Sequence, residues 1–258
     1  CGDQGAFHVP AYVSPIAIAY NLPSVKEDIK MDAETVAKVF SGEIKKWNDD
    51  AIASQNEGVE LPDTDITVVH RSDGSGTTFI FTNYLSKVSS DWQSKVGNNT
   101  AVEWPVGIGA KGNEGVANNV ANTKGSIGYV ETAYAKQNKL TTTNLINKDG
   151  KTVPPTAETI MAAAGGADWT KAPGFYLILT DSAGAKSWPI AGATFILIPK
   201  QPKDAAAAKE ALKFFSWAYK NGDKMAEDLD YIPMPDSVVS LIEANWKKDI
   251  KDDAGKPV

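Results

Sequence analysis

The sequence holds one cysteine, Cys1, and two histidines, His8 and His70, among 258 residues. A single cysteine excludes an internal disulfide. No group of Cys, His, Asp and Glu has metal-ligand spacing, so no metal and no cofactor is expected. Positive charge is not in excess: 26 Lys and Arg stand against 32 Asp and Glu, a formal net charge of −6. A broad basic face for nucleic acid is therefore not indicated. An anionic ligand would have to be attracted locally, against the field of the whole chain. No apolar run is long enough to span a bilayer, and no signal-peptide pattern opens the sequence, which is expected to be mature or incomplete. Internal repeats and low-complexity tracts are absent as well. What is there, 42% hydrophobic and 22% charged, suits a sizeable core in one large domain or two smaller ones.

Cys1-Gly2-Asp3 invites comparison with a lipidated mature N-terminus. An anchor normally sits on a flexible tether. Here strand-like sequence begins almost at once, with Phe7, Val9, Ala11 and Val13. Residues 14–22 read as a buried strand, and 32–40 as a helix with Asp32 as N-cap and Ser41-Gly42 at its end. A short helix over 51–55 and a strand over 66–70 follow. The alternation of strand and helix predicts an α/β fold with a mainly parallel sheet. Further along, the pattern predicts helices near 115–121, 131–137, 157–164 and 205–220, and a last one capped by Asp236. Strands are predicted over 125–130, 175–180 and 194–198, and a frayed tail over 247–258.

The stretch with most chemistry is HRSDGSGTTFIFTNYL, residues 70–85. It reads as a strand end, a Gly-rich turn and a helix start. Such a helix start aims free N–H groups and a positive dipole end at one spot, which attracts anions. Arg71 brings a planar fork of donors to that spot, and Asp73, two residues on, can hold the fork in one orientation. Ser75 and Thr77 add hydroxyls, and the N–H groups of Gly76 and Thr77 are expected to be free. An ordinary capped helix fits the same spacing. A phosphate-binding P-loop does not, because no Lys follows Gly76. Ser75 lacks the nucleophile-elbow pattern and a suitable base, since His70 lies on the same element and His8 is remote. The run from Gly107 to Gly112 matches G-x-G-x-x-G literally, but Pro105 interrupts the strand that a dinucleotide site needs before it.

RSDGSGTTFIFTNYLSK closely resembles the signature of the high-affinity phosphate-binding proteins of bacterial phosphate ABC transporters. So do FSGEIKKWNDDAIA, WPVGIGAKGNEGVANNV, GSIGYVETAYAKQNKL, WPIAGATFILIPK, LKFFSWAYKNGDKMAEDLDYIPMPDSVV and WKKDIKDDAGKPV, so that the resemblance covers essentially the whole chain. The resemblance implies a type II periplasmic-binding-protein fold, α/β, in which two lobes joined by a two-strand hinge close on phosphate. Residues 13–194 would be the second lobe, carrying the binding turn. Residues 1–12 and 195–258 would be the remnant of an incomplete first lobe. The family's contacts map onto Arg71, Ser75, Gly76 and Thr77, with Asp73 as the acid paired to the arginine. Family members carry a further N-terminal segment with additional phosphate contacts, including the acid that accepts the ligand's proton. None of these is found in this sequence.

The function implied is capture of inorganic phosphate outside the cytoplasmic membrane, in the periplasm or at its outer face, and delivery to the permease subunits of an ABC transporter. The chain is expected to be a monomer, not an enzyme, with no nucleic-acid partner. A lipid anchor would belong to the longer protein. The alternatives are a phosphatase-like enzyme, for which no nucleophile–base pair or metal set is seen, and a binder of another tetrahedral oxyanion such as sulfate.

Overall fold

The computed structural model describes residues 5–258, so Cys1 lies outside it. Along the chain run β1 (Ala6–Tyr20), β2 (Lys30–Met31), α1 (Ala33–Ser41), α2 (Asp50–Ala53), β3 (Thr67–Arg71), α3 (Gly76–Val88) and α4 (Ser90–Lys95). Then come β4 (Ile108–Ala110), α5 (Gly112–Asn122), β5 (Ser126–Glu131), α6 (Thr132–Gln137), β6 (Thr141–Thr142), β7 (Asn144–Ile146) and β8 (Thr152–Val153). After α7 (Ala157–Gly165) and two single 3₁₀ turns, the chain ends with β9 (Ala191–Pro199), α8 (Ala205–Asn221), α9 (Asp223–Asp228) and α10 (Asp236–Asp249).

β1 belongs to two ladders in succession. From Ala6 to Pro15 it pairs antiparallel with β9, and from Ile16 to Tyr20 it pairs antiparallel with β5. Its burial changes with its partner. Phe7 and Val9 are inward in the first half, whereas every residue from Val13 to Tyr20 is buried. That is the pattern of a strand passing from a half-covered ladder to one covered on both faces. The main sheet has the order β4-β3-β5-β1-β6, with β9 joined to the first half of β1. β3 is parallel to both β4 and β5, but β1 pairs antiparallel with β5, β6 and β9, so the sheet is mixed and not mainly parallel as expected.

The helices that flank this sheet start where local chemistry dictates. Asp32 accepts from the Thr35 N–H at the head of α1, and Gly42, at φ 78°, closes its end in the left-handed conformation that glycine adopts freely. Asp204 does the same for α8 through the Ala207 N–H. α3 buries Phe81, Tyr84 and Leu85 against the sheet. At Gly192 of β9 a Cβ atom would come within 2.4 Å of Ile80 Cδ1, so glycine there lets β9 pass close to α3.

Four expectations need correction. Residues 175–180 form no strand. Pro173 and Gly174 turn the chain, the Tyr176 N–H donates to the Pro173 carbonyl at 3.2 Å, and Phe175, Leu179 and Thr180 are buried without a ladder. The strand-like stretch from Phe7 and the strand expected over 14–22 are one continuous strand, Ala6–Tyr20, whose first half is paired by β9. The last helix is capped by Pro235, and Asp236 is already inside it. The tail is pinned rather than frayed. Ile250 is fully buried, the Lys251 N–H donates to the Lys200 carbonyl at 2.9 Å, and the Val258 N–H to the Ile250 carbonyl at 3.2 Å. A charged composition hid one apolar anchor.

Several large apolar residues face outward, among them Leu197 of β9, Phe214 and Trp217 of α8, and Leu229 at the end of α9, each more than half exposed. No helix among the described residues is long and apolar enough to cross a membrane.

Candidate oxyanion site

The turn between β3 and α3 lies at the C-terminal edge of the parallel strands. Arg71 is the last residue of β3, and Ser75 is the N-cap of α3. The Ser75 Oγ accepts from the N–H groups of Thr77 at 3.1 Å and Thr78 at 3.4 Å. This corrects the expectation that the Thr77 N–H is free. The Gly76 N–H, by contrast, has no protein partner among the described residues. The Ser75 hydroxyl, used here as an acceptor, keeps its own proton to donate.

Arg71 and Asp73 pair as expected. Nε donates to Oδ1 at 2.8 Å and Nη2 to Oδ2 at 2.7 Å, a bidentate fork on an arginine side chain that is only 9% exposed. Asp73 also accepts from the Gly112 N–H, which opens α5, at 3.1 Å. The guanidinium, then that amide, hold the Asp73 carboxyl well below the usual carboxylate range. The pair is thus fixed at both ends, and Arg71 keeps unused donors for a ligand.

Behind the turn stands Tyr129 of β5. Its hydroxyl accepts from the Arg71 N–H at 3.1 Å and lies 2.7 Å from the Thr78 Oγ1, to which it can donate. Burial pushes the phenol up to about 12, so it stays protonated. The ring stacks between Phe81 and Trp104, and Trp104 stacks in turn on His70. Burial lowers the His70 pKa, which favours a neutral ring against the indole.

A cleft of about 500 Å³ opens in front of the turn. Arg71, Ser75, Gly76 and Thr77 line it, four of the five residues anticipated from sequence. Asp73 is not on its wall but behind Arg71, as its pairing role requires. The opposite wall comes from the β1–β9 ladder, where Ser14 Oγ and Thr194 Oγ1 share a hydrogen bond at 2.7 Å, and from residues 176–178. Asn113 and Glu131 are among the polar wall residues that escaped sequence reasoning. Glu131 ends β5, and Asn113 sits in the first turn of α5, beside the anticipated turn only after folding. An acid closing the apolar run GSIGYV was the one available signal.

A family model described as a PBP superfamily domain matches residues 1–221. The chain is 50% identical over 248 residues to a phosphate-binding protein PstS of Xylella fastidiosa, covering 96% of this chain and 68% of that one. The chain belongs to the PstS family of phosphate-binding proteins. Its PstS relatives include one from Pasteurella multocida, 50% identical with 96% of this chain and 72% of the relative covered. A more distant PstS from Methanocaldococcus jannaschii is 35% identical, with coverages of 93% and 66%. Among solved structures, a DING protein aligns with a TM-score of 0.70 at 18% identity, over 95% of this chain and 74% of that one. An ABC-type phosphate transport receptor from Vibrio cholerae aligns with a TM-score of 0.59 at 15% identity, over 91% and 75%. These likenesses identify the fold as that of the periplasmic-binding proteins, the α/β fold that the sequence resemblance implied.

Proposed function

We propose that this chain binds inorganic phosphate in the cleft at the β3–α3 turn and passes it to the permease of an ABC-type phosphate transporter, acting outside the cytoplasmic membrane as a monomer. One observation carries the reading: Arg71, locked by Asp73, stands beside the Gly76 N–H, unpartnered among the described residues, and the Ser75 and Thr77 hydroxyls at the head of a 13-residue helix. A tetrahedral oxyanion seated there would receive charge-assisted bonds from a rigid fork and an amide aligned with the helix dipole. Membership in the PstS family and the names of its relatives support phosphate as that oxyanion.

In this reading Arg71, Ser75, Gly76 and Thr77 contact the anion, and Asp73 orients Arg71. Residues 13–194 form one lobe, while 1–12 and 195–258 belong to a second. The change of partner along β1 near Ile16 supports a boundary of this kind. Titration of inorganic phosphate against the wild-type chain and Arg71→Ala tests the reading. Saturable binding that Arg71→Ala weakens supports it, and binding indifferent to that substitution removes it.

A further inference from the structure

Glu131 is not used by the oxyanion site as described, yet its side chain lines the same cleft. Its Oε1 accepts from Thr77 Oγ1 at 3.3 Å and from Asn113 Nδ2 at 3.4 Å, while its own N–H donates to Asn113 Oδ1 at 3.2 Å. Both bonds to the carboxylate are longer than the roughly 2.7–2.9 Å usual for charge-assisted pairs, so they are loosely held. A hydroxyl has one proton. While Thr77 gives that proton to Glu131, its hydroxyl offers the cleft only lone pairs, which repel an oxyanion. Charge points the same way. Asp73 already matches Arg71, so an ionised Glu131 adds an unmatched negative charge beside the anion's seat.

We propose that Glu131 is a positioning residue that takes up a proton when the oxyanion binds: its carboxylic acid donates to Thr77 Oγ1, and the Thr77 hydroxyl turns its own proton to the anion. The proton comes from solvent, and no covalent bond is made or broken. The inference rests on the oxyanion reading above and adds a coupling between anion and proton to it. The surroundings suit the exchange. Burial raises the Glu131 pKa, against the Thr77 and Asn113 bonds and the charge of Arg71, while Glu114 on α5 raises it further. Tyr134 of α6 and Tyr231 also face Glu131, both held above the usual phenol range by burial first, and so remain neutral.

The test titrates inorganic phosphate into the wild-type chain and Glu131→Gln, followed at the Gly76 and Thr77 amide resonances, from about pH 5 to about pH 8.5. The glutamine amide donates to Thr77 at every pH, as the protonated acid would. Comparing the two proteins at each pH cancels the ionisation of phosphate itself. Equal affinities are expected at the acid end, with the wild type then weakening relative to Glu131→Gln by up to about tenfold per pH unit as Glu131 ionises. A constant ratio overturns the proposal. In a Thr77→Val background the gap should shrink, because no hydroxyl is left to orient; an unchanged gap makes Glu131 a mere charge and overturns the relay. Should Glu131→Gln not fold, the carboxyl carbon shift of Glu131 in the wild type reads its protonation directly. Phosphate should raise its pKa, and no change overturns the proposal. A folded wild type that binds no phosphate at any pH overturns the oxyanion reading itself, and this inference with it.

Discussion

Arg71 and Asp73 meet through two parallel hydrogen bonds, Nε to Oδ1 at 2.8 Å and Nη2 to Oδ2 at 2.7 Å, and the second partner of the carboxylate is the Gly112 N–H at 3.1 Å. The arginine that faces the cleft is therefore tied to the head of a second helix. Its fork is oriented before any ligand arrives, which lowers the entropy lost on binding.

The first prediction concerns that fork. Arg71→Ala removes charge-assisted donors worth about 1.5–3 kcal/mol, so phosphate affinity should fall roughly ten- to hundredfold. Arg71→Lys keeps the charge but not the planar pair of donors, and should recover only part of the loss. Titration calorimetry or NMR reads both. A lysine variant equal to wild type would mean that charge alone matters at this position.

A second prediction follows from the depressed Asp73 pKa. A carboxylate whose folded-state pKa lies below its unfolded value stabilises the fold above the unfolded value, and loses that contribution as pH falls through the folded one. The wild type should thus be more stable than Asp73→Asn near neutrality. Below about pH 4 the gap should close as the wild type protonates. Thermal unfolding of both proteins across acid pH checks the sign, and a gap that widens on acidification would contradict the pairing described.

Glu131 carries the opposite sign. Its folded-state pKa is raised, so its contribution is intact below the unfolded value and is lost as pH rises through the folded one. Without any ligand, Glu131→Gln should gain on the wild type in thermal stability between acid and neutral pH. Parallel stability–pH curves would show that Glu131 is as well solvated in the folded chain as in the unfolded one.

Ser75 tests the helix start on its own. Its Oγ caps two N–H groups, and Ser75→Ala should cost about 0.5–2 kcal/mol, while Ser75→Gly should cost only a few tenths. Chemical denaturation measures the difference. Equal losses in the two variants would point to the hydroxyl's other neighbours rather than to the cap.

Much of this site could be read before folding because its chemistry is local. Arg71, Asp73, Ser75, Gly76 and Thr77 lie within seven consecutive residues, and a strand–turn–helix reading is enough to converge them. The cap at Asp32 was equally legible, since a cap depends on three neighbouring residues. What failed was non-local. That the strand-like stretch at Phe7 and the strand over 14–22 are one was not legible, because β9, the partner of its first half, lies about 180 residues away in sequence. Residues 175–180 looked like a strand by their apolar content, but Phe175, Leu179 and Thr180 are buried without a ladder. Asn113 and Glu131, 36 and 54 residues beyond Thr77, reach the cleft because β4 and β5 lie on either side of β3 in the sheet. Thr77's amide was expected to be free because spacing cannot say which way the Ser75 hydroxyl points.

The most direct test of the central claim is an NMR titration of the chain with inorganic phosphate, read at the Gly76 amide and the Arg71 Nε–H. Saturable shifts are expected at both positions, lost together in Arg71→Ala while the fold is retained. Shifts confined to other regions, or shifts at Gly76 that survive Arg71→Ala with unchanged affinity, would contradict it.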